Sequence, residues 1–175
     1  VEHALSGCGY DFTRFEVNDF VQHVADRRQR PIIIRDAPLR LAWYGLWIQE
    51  ETTDFVFIQV DLHPVPHIHS VLHEVAHMVL GHRGDDLSTL LGPELVAALD
   101  FKGGNGHLRA AGRARSLEDQ EAELFVYQLQ LRVMHAERLT ELYGEPTSID
   151  ELKPYVGGMG FNRWKGGDDD SGTRP

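Results

Sequence analysis

The sequence predicts a single α+β domain, in which a small sheet of three strands, or slightly more, packs on two helices. Three observations carry that expectation. Short β-branched and aromatic runs lie close together at residues 31–35, 45–49 and 55–60, an apolar stripe at helical spacing follows at residues 68–79, and a long helical pattern occupies residues 117–143. The domain is expected to span residues 1–156, with a flexible tail at 157–175, where glycines and the Asp168-Asp169-Asp170 run leave little to bury.

The elements follow in order. Val17, Phe20, Val21 and Val24 recur at helical spacing, and Pro31 disfavours a helical residue ahead of it, so an amphipathic helix is expected to stop before the Arg27–Pro31 segment. Pro31–Arg35 reads as a first strand, and Gly45–Gln49 and Phe55–Val60 as a hairpin around the polar Glu50–Asp54 turn. Asp61–Pro66 cannot extend a central strand, and Pro66 suits the first turn of a helix. From there Ile68, Val71, Leu72, Val75 and Val79 form one apolar stripe, expected to dock on the sheet and to stop at a C-cap Gly81. Residues 83–116 carry weaker signals: a short helix over residues 92–99, a mobile glycine stretch at 102–106, and a length that reads as an insertion ahead of a lid. Ser116 and Asp119 have capping spacing, opening a helix that runs from Leu117 to Tyr143 and closes at Gly144, with a last short helix beginning near Ser148.

Composition narrows the function classes. A formal charge of −10 argues against a general nucleic-acid binder, which would carry a basic footprint. The single cysteine cannot form an internal disulfide, and no 18-residue apolar run marks a membrane span, so a cytoplasmic setting is expected.

The chemistry sits in His73-Glu74-Val75-Ala76-His77, an H-E-x-x-H pattern inside the expected helix. Histidines at i and i+4 project from one face a turn apart, so two imidazoles can share one ion while Val75 and its stripe grip the core. Glu74 points beside the pair, which suits a general base better than a ligand. Zinc is favoured because neutral imidazole suits it, and a catalytic zinc site takes three protein ligands and keeps one position open. Such an ion makes water nucleophilic near neutral pH and polarises a carbonyl, so peptide hydrolysis is the reaction the motif serves most directly. With 10 His in 175 residues, chance produces the pattern in about 4% of such compositions.

Spacing leaves the third ligand open. The residue six after His77 is Arg83, which excludes the H-E-x-x-H-x-x-G-x-x-H arrangement. On a helical wheel His82 falls near the apolar side, away from the pair, so a C-terminal role is expected of it. His69 lies a turn before His73, but three ligands stacked along one helix cannot converge on one ion. His63 and His67 sit in the proline-rich approach to the helix, and His3, His23, His107 and His135 have no companions. On the later helix Glu118, Glu121 and Glu123 are the available acids. Glu121 shares a face with Phe125 and with Glu118, and for Glu118 and Glu123 favourable charge at a helix start suffices.

Leu72–His82 followed by Asp119-Gln120-Glu121-Ala122-Glu123-Leu124-Phe125 resembles the ImmA/IrrE family of compact metallopeptidases, over roughly residues 10–140. That family pairs an H-E-x-x-H helix, often ending in a Gly-His step, with a later E-A-x-x-F helix. The resemblance implies a zincin-like fold, a zinc site of His73, His77 and Glu121, and Glu74 as catalytic base. It also implies a cytoplasmic protein substrate, such as a co-encoded helix-turn-helix transcriptional repressor in a stress or mobile-element circuit. The chain departs from the commoner pattern at Val126 and in lacking a Leu-Met-Pro ending. A second expectation is a metalloprotein regulator that binds a partner with little turnover. Retention of Glu74 favours chemistry, since a structural zinc site needs no base. An extended peptide held by strand addition at a sheet edge would suit the enzyme reading.

Overall fold

The computed structural model describes residues 1–39, 43–86, 94, 97, 99, 105–110 and 116–143. Val1–Ala136 form one compact unit, and Glu137–Pro175 fall to a second, whose described part is the end of a helix reaching Tyr143. The closing Gly144 of the long helix, the helix expected near Ser148 and the tail at 157–175 lie outside the described residues, as does most of the helix expected over 92–99.

The unit is α+β with a small mixed sheet at its centre. Strands β1 (Ile32–Ala37), β3 (Asp54–Gln59) and β2 (Trp43–Gln49) make the three-stranded heart, β1 parallel to β3 and β2 antiparallel to it. Asn105–Ala110 (β5) then pairs antiparallel with β2, and the two-residue β4 (Asp85–Asp86) pairs with β5, giving the order β1-β3-β2-β5-β4. The expected mobile stretch at 102–106 thus ends inside a strand, because Asn105 and Gly106 find backbone partners in Gln49 and Ile48.

The helices follow the periodicities closely. After the short α1 (Glu2–Gly7), α2 spans Val17–Arg28 and stops at a left-handed Gln29, two residues before Pro31. Helix α3 spans Pro64–Leu80, and Gly81, at φ 74°, takes the left-handed conformation that glycine adopts without steric cost. Helix α4 runs from Leu117 to Tyr143 behind a reciprocal cap: Asp119 N–H donates to Ser116 Oγ and Ser116 N–H to Asp119 Oδ2, each at 3.0 Å.

Strand alternation divides the core between the two faces of the sheet. Trp47, Val56 and Ile58 pack with Phe20, Val24, Val71, Leu72, Val75 and Phe125 on the helical face. Leu46, Ile48 and Phe57 turn to the opposite face, against Leu39 and Leu99. One buried charge ties the helical side to the strands: Asp54, wholly inaccessible, accepts hydrogen bonds from Trp47 Nε1 at 3.2 Å, Arg28 at 3.0 Å and Arg30 at 3.4 Å.

The expected stripe on α3 needs one correction. Every residue from Ser70 to Met78 is buried, while Ile68 is 42% exposed, so the middle of the helix is enclosed on all sides and does not dock by one face only. Two layers enclose it. The sheet covers the Leu72–Val75 side, and the start of α4, anchored by Ala122, Phe125 and Val126, closes over the histidine side.

Candidate metal centre

His73 and His77 occupy successive turns of α3, and their Nε2 atoms face each other at 3.2 Å. Asp119, from the first turn of α4, completes a triangle, with Oδ1 at 3.8 Å from His73 Nε2 and 3.7 Å from His77 Nε2. Zinc–ligand distances of about 2.0–2.1 Å put the ligand atoms of a tetrahedral site about 3.3 Å apart. The triangle therefore fits such an ion after shifts of about half an ångström. The helix cap is what aims this carboxylate: Oδ2 is occupied by Ser116 N–H, leaving Oδ1 turned toward the two imidazoles.

The protonation states suit an ion too. Burial first, and then the neighbouring His107, His73 and His82 rings, push the His77 pKa down to about 2, so at neutral pH the ring is uncharged. The nearby His73 imidazole, reinforced by the Ser116 backbone and hydroxyl and by His77, holds the Asp119 carboxyl far below its ordinary range against the opposing effect of burial. The uncharged His77 ring, a second imidazole from His73 and a carboxylate are a donor set that zinc accepts.

Glu74 is fully buried, one residue along the helix from His73, and its carboxylate lies against the backbone of β2. The contact is with Gly45: a Cβ built there would stand 2.5 Å from Glu74 Oε1. Gly45 also closes the irregular step between Trp43 and Gly45 in the β2–β5 register. A strand glycine beside a bulge, with a buried carboxylate pressed on it, is a close approach that only a missing side chain permits.

Further side chains surround the triangle. Glu123 Oε2 lies 3.3 Å from His73 Nδ1, and its other oxygen lies 3.2 Å from His69 Nε2. His82 Nδ1 lies 2.9 Å from His77 Nδ1, and His82 Nε2 lies 3.0 Å from Glu121 Oε2. From β5, His107 stacks on His77 with centroids 3.8 Å apart, and Trp47 stacks on His107 at 5.5 Å. Glu118 Oε2 lies 3.3 Å from His107 Nε2. His77, His82 and His107 are close enough to suggest a second chelating group. Their geometry argues against it: imidazole lone pairs lie in the ring plane, and the stacked His77 and His107 planes, only 19° apart, do not meet at a nearby ion.

Of the residues singled out in the sequence, His73 and His77 thus stand together, with Glu74 buried between them along the helix and set against Gly45. Glu121 does not join them; it sits against His82 and is 59% exposed, and Asp119 takes the place beside the histidine pair. Asp119 had a complete local explanation as a capping residue, which hid it. Asp119 and Glu121 flank the buried Ala122–Phe125–Val126 stripe on opposite sides, and only the crossing of α4 over α3 determines which side meets the histidines. His82 departs from its helical-wheel position because left-handed Gly81 ends the helix and swings the next residue back toward His77. His107 had no companion in sequence; its neighbours come through the pairing of Trp47 with His107 across β2 and β5.

Among the described residues no helix is long and apolar enough to cross a membrane. No protein-family model matches the chain, and neither does any curated protein or solved structure.

Proposed function

We propose that the chain is a zinc-dependent endopeptidase of zincin-like design, with His73, His77 and Asp119 holding the ion and Glu74 as catalytic base. The observation that carries this reading is the triangle of His73 Nε2, His77 Nε2 and Asp119 Oδ1, with edges of 3.2, 3.7 and 3.8 Å, built around an H-E-x-x-H helix. Its resemblance to the ImmA/IrrE metallopeptidases, carried by His73–His77 and the following Gly81-His82 step, supports the same chemistry, with Asp119 in the ligand role that the resemblance alone gave to Glu121.

When bound, the ion supplies Lewis acidity, polarising the scissile carbonyl and making water nucleophilic at neutral pH. The chain's own groups do the rest. Glu74, held against Gly45, takes a proton from the attacking water and returns it to the amide nitrogen as the C–N bond breaks. Solvent reaches the triangle on the side of Asp119 and Glu123, whose side chains are 25% and 30% exposed. Beyond Gly106 the outer edge of β5 pairs with no strand among the described residues, and it runs past His107. An extended peptide held by strand addition at a sheet edge suits this reading. The substrate is a cytoplasmic regulatory protein, with a co-encoded helix-turn-helix repressor the first to try.

Zinc content per chain, measured for wild type, Asp119→Ala and Glu121→Ala, tests the site. One zinc per wild-type chain and its loss in Asp119→Ala are expected. Cleavage of a candidate repressor that disappears in Glu74→Gln, with zinc retained, tests the chemistry. Cleavage that survives Glu74→Gln would remove the catalytic role from that residue. A zinc-loaded wild-type chain that binds the repressor without cutting it would leave the partner-binding regulator as the better account.

A further inference from the structure

We infer that Glu121 and His82 form an outer relay that holds His77 in the one tautomer able to bind an ion. Glu121 thus acts on the metal centre through two imidazoles and not as a ligand. The inference rests on the metal-centre reading above and assigns work to two residues that reading leaves idle.

The hydrogen-bond geometry sets the proton positions. His77 must present an unprotonated Nε2 toward His73 and Asp119, which places its only proton on Nδ1. Neutral imidazole ordinarily prefers the opposite tautomer, so something must favour this one. His77 Nδ1 lies 2.9 Å from His82 Nδ1, and two imidazole nitrogens at that distance share one proton between them. His77 Nδ1–H therefore donates, and His82 Nδ1 accepts. His82 must then carry its own proton on Nε2, where Glu121 Oε2 waits 3.0 Å away as an acceptor. Glu121, His82 and His77 thus form a chain in which every proton has a defined place and every step runs toward the carboxylate. The stacked His107, backed by Trp47, fixes the plane of the His77 ring, so the relay sets its proton while the stack sets its tilt. Left-handed Gly81 makes the return of His82 possible.

Carboxylate–histidine support of this kind orients a ligand and raises its basicity, and its removal typically weakens metal binding about 10–100-fold. Zinc affinity is read by competition with a chromophoric chelator, for wild type, Glu121→Gln, His82→Phe, the double variant and His73→Gln. Long-range ¹H–¹⁵N spectra of the metal-free chains report the His77 tautomer directly. Glu121 is largely exposed, so its substitution leaves the fold intact, and His82→Phe keeps a ring of similar shape. The relay predicts that each single variant binds zinc about 10–100-fold more weakly. It also predicts that the double variant is no weaker than His82→Phe alone, and that His77 moves from the Nδ1–H toward the Nε2–H form in His82→Phe. Wild-type affinity in both single variants overturns the relay. So does a loss in Glu121→Gln as deep as in His73→Gln while His82→Phe is unaffected, since Glu121 would then be a ligand itself. A wild-type chain that takes up no zinc overturns the metal-centre reading instead, and the two failures are told apart by that one titration.

Discussion

Replacing Gly45 with alanine tests how tightly the sheet holds the Glu74 carboxylate, the proposed base. The new Cβ would stand 2.5 Å from Glu74 Oε1, 3.2 Å from its Cδ and 3.3 Å from its Cγ, where ordinary carbon contacts begin near 3.5 Å. Glu74 or the β2 backbone must therefore give way by about 1 Å. Both are buried, and a forced fit of this size typically costs about 1–3 kcal/mol. Removing a strand glycine offsets about 0.5–1 kcal/mol of that through the unfolded chain. The net expectation is a loss of about 1–2 kcal/mol in urea unfolding of the metal-free protein. Turnover should fall further than stability, by about 100-fold, because a displacement of about 1 Å at a reacting group has that effect. Zinc content should stay at the wild-type level, since Gly45 touches Glu74 and not the triangle. Gly7→Ala, with nothing within 4 Å of the added carbon, is the reference and should leave stability unchanged or slightly raised. A Gly45→Ala chain that unfolds at the wild-type urea midpoint and retains full cleavage would refute the argument that Gly45 makes room for Glu74.

Three further expectations follow from the same contacts. Ser116→Ala removes the hydroxyl half of the helix cap, which should lower stability by about 1 kcal/mol in denaturant unfolding, while zinc affinity by chelator competition should stay near wild type because the Ser116 N–H that holds Asp119 Oδ2 remains. Asp54→Asn leaves Arg28 and Arg30 without their inaccessible carboxylate; because those side chains are 21% and 23% exposed and rehydrate in part, a loss of about 2–4 kcal/mol in denaturant unfolding is expected. In metal-free protein the folded chain protonates His77 only at about pH 2 while the unfolded chain does so near 6.5, so between those values the unfolded state holds the extra proton. Stability is therefore complete above about pH 6.5 and falls as pH drops below it, by up to about 1.4 kcal/mol per unit, with Asp119 adding to the loss below its ordinary range; urea midpoints between pH 7.5 and 5 should show the slope, and His77→Gln should flatten it.

The sequence by itself determined the parts whose physics is local. The 3.6-residue period placed α2, α3 and α4 to within a few residues, and Gly81 and the Ser116–Asp119 spacing marked where two of them end and begin. The strands showed in their β-branched and aromatic runs, and the i, i+4 spacing of His73 and His77 brought their ring nitrogens together whatever else the chain did. Tertiary structure decided everything that depends on one element crossing another. Which of Asp119 and Glu121 lies beside the histidine pair hangs on how Phe125 and Val126 seat α4 on the core, since the two acids flank that stripe on opposite sides. Bringing His107 onto His77 required β5, a strand made by pairing with β2 and one that its own sequence, with no β-branched or aromatic residue, does not announce. His82 reached His77 because one left-handed residue broke the helical wheel from which its direction would be read. A cluster of side chains gathered from two helices is a long-range property, and a helix's own sequence records which residues it buries but not which neighbour they meet.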